Sequence, residues 1–372
     1  MYAPHATDAL AEADRLMTIC NACRYCEGLC AVFPAMELRR DFRDGDLDYL
    51  ANLCHACGAC LSACQFAPPH EFAVDVPATL AAVRQESYRR NAWPRALGGV
   101  FERNGLAISV VAALSVAGFV IAFVAAHEPS VLFAASADSG AFYRLMPHAA
   151  MALLFGVVAI YAVVALAIGW RSFQRAGRGR GASGASFAAA LHDAGSLRYL
   201  DGGGAGCPND DEAKPRDGRR IAHHLTFYGF LLCFASTCVA TVYHYGLGRE
   251  APYGWYDLPV VFGVLGGIGI VIGTVGLLRA RFVPAPVAGV KRFGMETAFT
   301  AMLFLTAATG LLLLAVRTTP AMGLTLALHL GVVFALFLTV PYGKFVHGIY
   351  RFAALLQFAA ERRAASTSRN DG

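Results

Sequence analysis

The pattern of apolar and polar positions splits the chain into two unlike parts. Residues 1–104 mix charged, polar and apolar positions. Beyond them apolar residues run together at about 105–126, 146–170, 225–243, 259–280, 296–316 and 324–346. Each run reaches the roughly 20 residues that carry a helix across about 30 Å of hydrocarbon. A single run of this kind fits a buried core helix equally well. Six in succession, nearly free of charge, predict a membrane bundle. The polar part predicts short helices over 1–19 and 71–90 that flank two cysteine-rich runs, with 31–53 as a connector turning at Asp44 and Gly45. The expected fold class is therefore all-α, with a helical N-terminal domain ahead of a six-helix transmembrane bundle. The expected boundaries are a head over 1–90, a basic segment over 91–104, six spans over 105–350 with a loop at 171–222, and a tail over 351–372.

Composition strengthens this division. Of the 372 residues, 56% are hydrophobic and 15% charged, against roughly a quarter charged in soluble domains. Arg89, Arg90, Arg95 and Arg103 stand beside Trp93 and Phe101 ahead of the first span, which suits a cytoplasmic membrane face. Lys and Arg crowd the loop 171–222, the loop near 279–295 and the tail, while the opposite loops offer only Arg144, Arg249 and Arg317. The positive-inside rule then puts both termini and the head in the cytoplasm. The net charge of +5 follows from this bias and needs no nucleic acid partner. Residues 1–19 have no apolar core, and no twin arginine precedes the cysteines, so no secretory signal is expected. The loop 171–222 is rich in Gly and Ser near its start and reads either as a connector or as a docking surface for a soluble partner.

The head carries the chemistry. "CNACRYCEGLC" (Cys20 to Cys30) and "CHACGACLSAC" (Cys54 to Cys64) each place four cysteines at C-x2-C-x2-C-x3-C spacing. A reducing cytoplasm disfavours disulfides, and this spacing matches [4Fe–4S] ligation, in which the fourth cysteine serves the other cluster of a pair. Cys20, Cys23, Cys26 and Cys64 are then expected to hold one cluster, and Cys54, Cys57, Cys60 and Cys30 the other. The Pro that usually follows the fourth cysteine is replaced by Ala31 and Gln65. Structural zinc prefers two C-x2-C pairs and fits these runs poorly. Cys233 and Cys238 lie inside a span and read as small packing residues; Cys207, in the loop, receives no role.

Histidines gather at the ends of the spans. His223, His224 and His347 fall near one face, and His148, His244 and His329 near the other. The third and sixth spans run in opposite directions. His223 or His224 is therefore expected to face His347, and His244 to face His329, as in a bundle holding one or two b-type haems. His329 and His347 are eighteen residues apart, five whole turns and about 27 Å along one side of a helix. His223 and His244 are twenty-one apart and about 60° out of register, whereas His224 and His244 are about 160° out. His223 is the better placed of the two. The span interiors carry essentially no Asp or Glu, which argues against ion-coupled transport. No dinucleotide fingerprint, catalytic triad or carboxylate pair is present. Substrate chemistry is thus expected on another chain, and this one reads as a conduit to membrane quinone.

The paired runs resemble the helical two-cluster ferredoxin modules of heterodisulfide reductase and of succinate dehydrogenase iron–sulfur subunits. With "CNACRYCEGLC" and "RRIAHHLTFYGFLLCFASTCVATVYH" (Arg219 to His244), nearly the whole chain resembles the tricarballylate/citrate-utilisation protein B family. It is similar too to the electron-transfer half of a flavoprotein fusion in aerobic cobalamin synthesis. Its eighteen-residue histidine interval resembles the haem-bearing helix of the respiratory nitrate reductase membrane subunit. The resemblance implies a multi-pass protein of the bacterial inner membrane with two [4Fe–4S] clusters on the eight cysteines and b-type haem. It also implies a partner, an FAD-dependent dehydrogenase that oxidises tricarballylate, whose reduced flavin is reoxidised with quinone as acceptor. The alternatives are a membrane subunit of a heterodisulfide-reductase-like or nitrate-reductase-like complex, and a membrane redox sensor, which needs no electron path across the bilayer.

Overall fold

A computed structural model describes residues 5–135, 138–177, 183–200, 217–282 and 294–370. Cys207 and the glycine-rich end of the 171–222 loop lie outside the described residues. Among those described, every regular element is a helix. The head contains α1 (Asp8–Cys23), α2 (Val32–Glu37), α3 (Asp44–Leu53), α4 (Ala59–Ser62) and α5 (Val76–Asn91), followed by a 3₁₀ turn at Arg95–Phe101. The rest is α6 (Asn104–Ala126), α7 (Pro129–Leu132), α8 (Ala141–Leu145), α9 (His148–Ala176), α10 (Gly184–Gly195), α11 (Asp217–Leu247), α12 (Leu258–Phe282), α13 (Met295–Val316), α14 (Met322–Thr339) and α15 (Val346–Asn370). Six helices are long and apolar enough to cross a membrane. Their outward faces carry Leu106, Leu114, Ile121, Leu153 and Ile160 in the open, a load of apolar surface suited to lipid and not to water.

Local sequence explains the head's elements. The Thr7 hydroxyl accepts from the Leu10 amide to cap α1, and the Asp75 carboxylate accepts from Ala78 N at 2.9 Å to cap α5. Pro77 opens α5 at a position that needs no amide donor, and Arg89 and Arg90 close it. The stretch 31–53, expected as a connector, instead forms α2 and α3. Asp44 and Gly45 are the first turn of α3, where acidic side chains favour the helix N-terminus. Gly45 is also a point of close approach, since any side chain there would run into the carbonyl oxygen of Ala176 at the end of α9.

The head is docked onto the bundle, not tethered to it. Its core of Leu10, Leu16, Met17, Leu47, Leu50 and Leu80 is continuous with Phe173 of α9, Ala190 of α10, and Tyr350, Ala354 and Phe358 of α15. The expected tail is thus mostly helix α15. Tyr350, Ala353, Ala354 and Phe358 recur at helical spacing and form a buried stripe. Arg39 locks the joint: its Nε donates to Asp46 at 2.9 Å and its Nη2 to Glu361 at 2.7 Å. Within the membrane half, α11 and α12 pack backbone to backbone. A Cβ on Gly266 would lie 2.8 Å from Cys233 Sγ, so Cys233 is a packing residue on a small-residue seam.

Candidate cluster and haem sites

The helix ends aim the cysteines. α1 stops at Cys23 because Arg24 turns into the left-handed region, at φ 56°, which frees the chain to bring Cys26 back toward Cys20. α3 delivers Cys54, and the loop beyond it passes through left-handed Ala56 and Gly58 before α4 presents Cys60. Gly58, at φ +86°, is where a side chain would be strained.

Two groups of four thiols result. Burial, and then the proximity of Cys26, Cys64 and Cys23, pushes the Cys20 thiol up to about 12. The Cys30 thiol is pushed up by burial and then by Cys54 and Cys57, against the amides of Val32 and Phe33. That of Cys60 is raised by burial and then by Cys54, Cys30, Cys57 and, from the first run, Cys26. Cys64 thus lies near the first run and Cys30 near the second, while Cys26 lies near thiols of both. A small cavity is lined by Cys30, Cys54, Cys57 and Cys60 and walled by Val32 and Tyr199. Among the described residues, no three His, Cys, Asp or Glu converge as they would on a single ion. A four-iron cube holds its ligands further apart than one tetrahedral ion does, so the lack of a single-ion site does not count against cubes. Thiols held so far up would release their protons to solvent on binding iron as thiolates.

The side of the head facing the bundle adds residues that spacing alone missed. Cys54 O accepts from Arg84 Nη1 and from Arg351 Nη2, each at 2.6 Å. Arg351 Nη1 donates to His55 Nδ1 at 2.7 Å. Burial, and then Arg351, holds His55 well below its usual value, so its ring stays neutral and accepts. Arg351 lies one turn after His347 on α15, on the same face. That i,i+4 relation, and the His inside the second cysteine run, were the available signals in the sequence.

The six histidines occupy different settings. His223 and His347 meet edge to face with ring centroids 6.2 Å apart. Two imidazoles flanking one metal, with bonds of roughly 2 Å, have centroids about 6 Å apart. His347 Nδ1 donates to Lys344 O, which leaves Nε2 as the ring nitrogen without a proton, while His223 Nδ1 is buried without a hydrogen-bond partner. Lys344 and Arg281 both pair with Glu296 beside this site. His224 packs against Tyr228, its Nε2 likewise unpartnered. His223 and His347, at 6.2 Å, have the separation of two imidazoles that would hold one haem iron between them.

The opposite end differs. His244 does not meet His329. It stacks on His148 with centroids 3.6 Å apart and planes at 14°, between Tyr143 and Tyr245. His329 instead sits against Gly310 and exchanges a hydrogen bond with Thr309 Oγ1 at 2.9 Å. The register argument missed this because it paired helices by direction alone, and α9 brings His148 nearer to α11 than α14 brings His329. Stacked rings leave no room for a metal between them, so this end does not fit a bis-histidine haem.

A family profile described as "Citrate utilization protein B" matches residues 100–368. A second, "Citrate utilization protein B Fer4-like domain", matches residues 13–90. The chain belongs to the citrate utilization protein B family. Within that family it is 48% identical to the Escherichia coli protein named Citrate utilization protein B, over 359 residues that cover 96% of this chain and 94% of the relative. No solved structure matches the chain. The two citrate utilization protein B profiles are separated by residues 91–99, in the basic segment where the head gives way to the bundle.

Proposed function

We propose that the chain is a membrane electron-transfer protein of citrate or tricarballylate utilisation, which reoxidises the reduced FAD of a partner dehydrogenase and reduces membrane quinone. When bound, two [4Fe–4S] clusters and haem b supply the one-electron carriers between flavin and quinone. The chain's own residues do the rest. Eight thiolates hold the clusters, α2, α5 and Tyr199 keep water from the inner one, and His223 and His347 hold the haem at the head end of the bundle. The Lys and Arg bias puts the head on the cytoplasmic side of a bacterial inner membrane, where a soluble tricarballylate dehydrogenase can reach Cys23 and Tyr25, both exposed.

The observation that carries this reading is the continuity of α15. One helix turn joins His347 to Arg351, and Arg351 bonds the Cys54 loop. A redox sensor needs no electron path across the bilayer, whereas this link runs from the cysteine loop to a histidine of the bundle. The test uses membranes containing the full chain, to which a tricarballylate dehydrogenase reduced by its substrate is added. The expected result is b-type absorption and quinone reduction that depends on the chain. Membranes with neither would sink the proposal.

A further inference from the structure

The two cysteine sites lie in opposite electrostatic surroundings. At the outer one, Cys23, Arg24 and Glu27 are exposed. Glu27 also faces Glu37, whose carboxyl is pushed up by burial and then by Glu27 itself. At the inner one, Cys54 is buried and Arg84 is 5% exposed. Arg84 donates to the carbonyls of Ala51 and Cys54. Arg351 donates to those of Asn52 and Cys54 and to His55. These partners are all neutral. Cations set into a protein with neutral hydrogen-bond partners are costly; the negative charges that answer them are the thiolates of Cys54 and Cys57, which act on Arg351, and the Glu296 carboxylate, which acts with Arg84.

Hydrogen bonds to sulfur point the same way. Ala56 N donates to Cys54 Sγ at 3.3 Å, and the amides of Val32 and Phe33 favour the Cys30 thiolate. Net charge, hydrogen bonds to sulfur and exposure together set a cluster's reduction potential. Burial alone would lower the inner potential, because a dry site disfavours added negative charge. The same dryness strengthens the field of the two guanidinium groups, which cannot lose their protons.

We propose that Arg84 and Arg351 give the Cys30, Cys54, Cys57 and Cys60 site the higher reduction potential of the two, making it the one from which electrons leave the head toward His347. One electron lost at the Cys20 side is gained at the Cys54 side, with the reduced flavin as reductant and no proton required. The inference rests on the cluster reading above.

The experiment is a redox titration of the purified full-length protein, followed by the EPR signals of the reduced clusters. Two signals with separate midpoints are expected. Cys60→Ala should remove the one of higher potential, and Cys23→Ala the lower. Arg351→Gln and Arg84→Gln should each move the higher midpoint downward with iron and sulfide content unchanged, and Arg351→Lys should restore it. Survival of the higher-potential signal in Cys60→Ala overturns the assignment, as do unmoved midpoints in both Gln variants. If Arg351→Gln loses its cluster, the two cysteine variants still decide. A wild-type protein without cluster signals fails the cluster reading itself, a distinguishable result.

Discussion

The two ends of the helical bundle carry similar residues and have been put to different use. At the head end, His223 and His347 stand 6.2 Å apart, edge to face, beside charged Glu296, Lys344 and Arg281 and under a docked domain. At the far end, His148 and His244 touch face to face at 3.6 Å among tyrosines. A histidine count at each membrane face treats these ends alike. Ring separation and the fate of each ring nitrogen tell them apart, and only the head end presents paired imidazoles with a gap between them.

Breaking the head end should have the largest effect. His347→Ala is expected to abolish b-type absorption in membranes while leaving cluster EPR signals in place; unchanged haem content would refute the His223–His347 pairing. Next comes the joint that holds the head. Arg39 is 4% exposed at its side chain and Asp46 fully buried, and removing the cation from a buried pair costs roughly 3–5 kcal/mol. Arg39→Met should therefore lower the stability of the head by about that much, read by thermal melting of the purified protein. Far-end substitution should matter less. His148→Ala with His244→Ala is expected to keep the b-type spectrum, and its loss would mean that the stacked pair opens to take a haem.

The smallest effect belongs to His5, far from both ends. Its ring nitrogen lies 2.7 Å from Asp44 Oδ1 and its other nitrogen 3.4 Å from Asp14. The hydrogen bond to Asp44 is the main cause that raises its pKa above the ordinary 6.5. A raised folded value means stability that is complete below about 6.5 and fades as pH climbs through the folded value. The head's melting temperature should therefore fall slightly as pH rises from about 6 to 8. In His5→Asn that slope should flatten; an identical slope would remove His5 from the explanation.

Much of the head end is legible in the sequence, for physical reasons that are local. Cysteines three and four residues apart are confined to one loop, so their spacing reports a shared site. The eighteen residues between His329 and His347 survive as register because helices are regular. What the sequence hides is set by packing. His148 reaches His244 through the placement of α9. Residues 351–370 look like a polar tail because their charges mask an apolar stripe visible only at helical spacing. Arg84 and Arg351 carry no motif at all; their meaning depends on two segments, far apart in the chain, meeting at one carbonyl.

The clamp formed by Arg39, Asp46 and Glu361 also bears on the order of assembly during synthesis. Arg39 emerges early and Glu361 some 322 positions later, after all six spans. Until then the seat for Phe358 and Ala354 in the head's core stands open, and the head has its eight thiols but not its final wall. The domain translated first is thus the last to have its core completed.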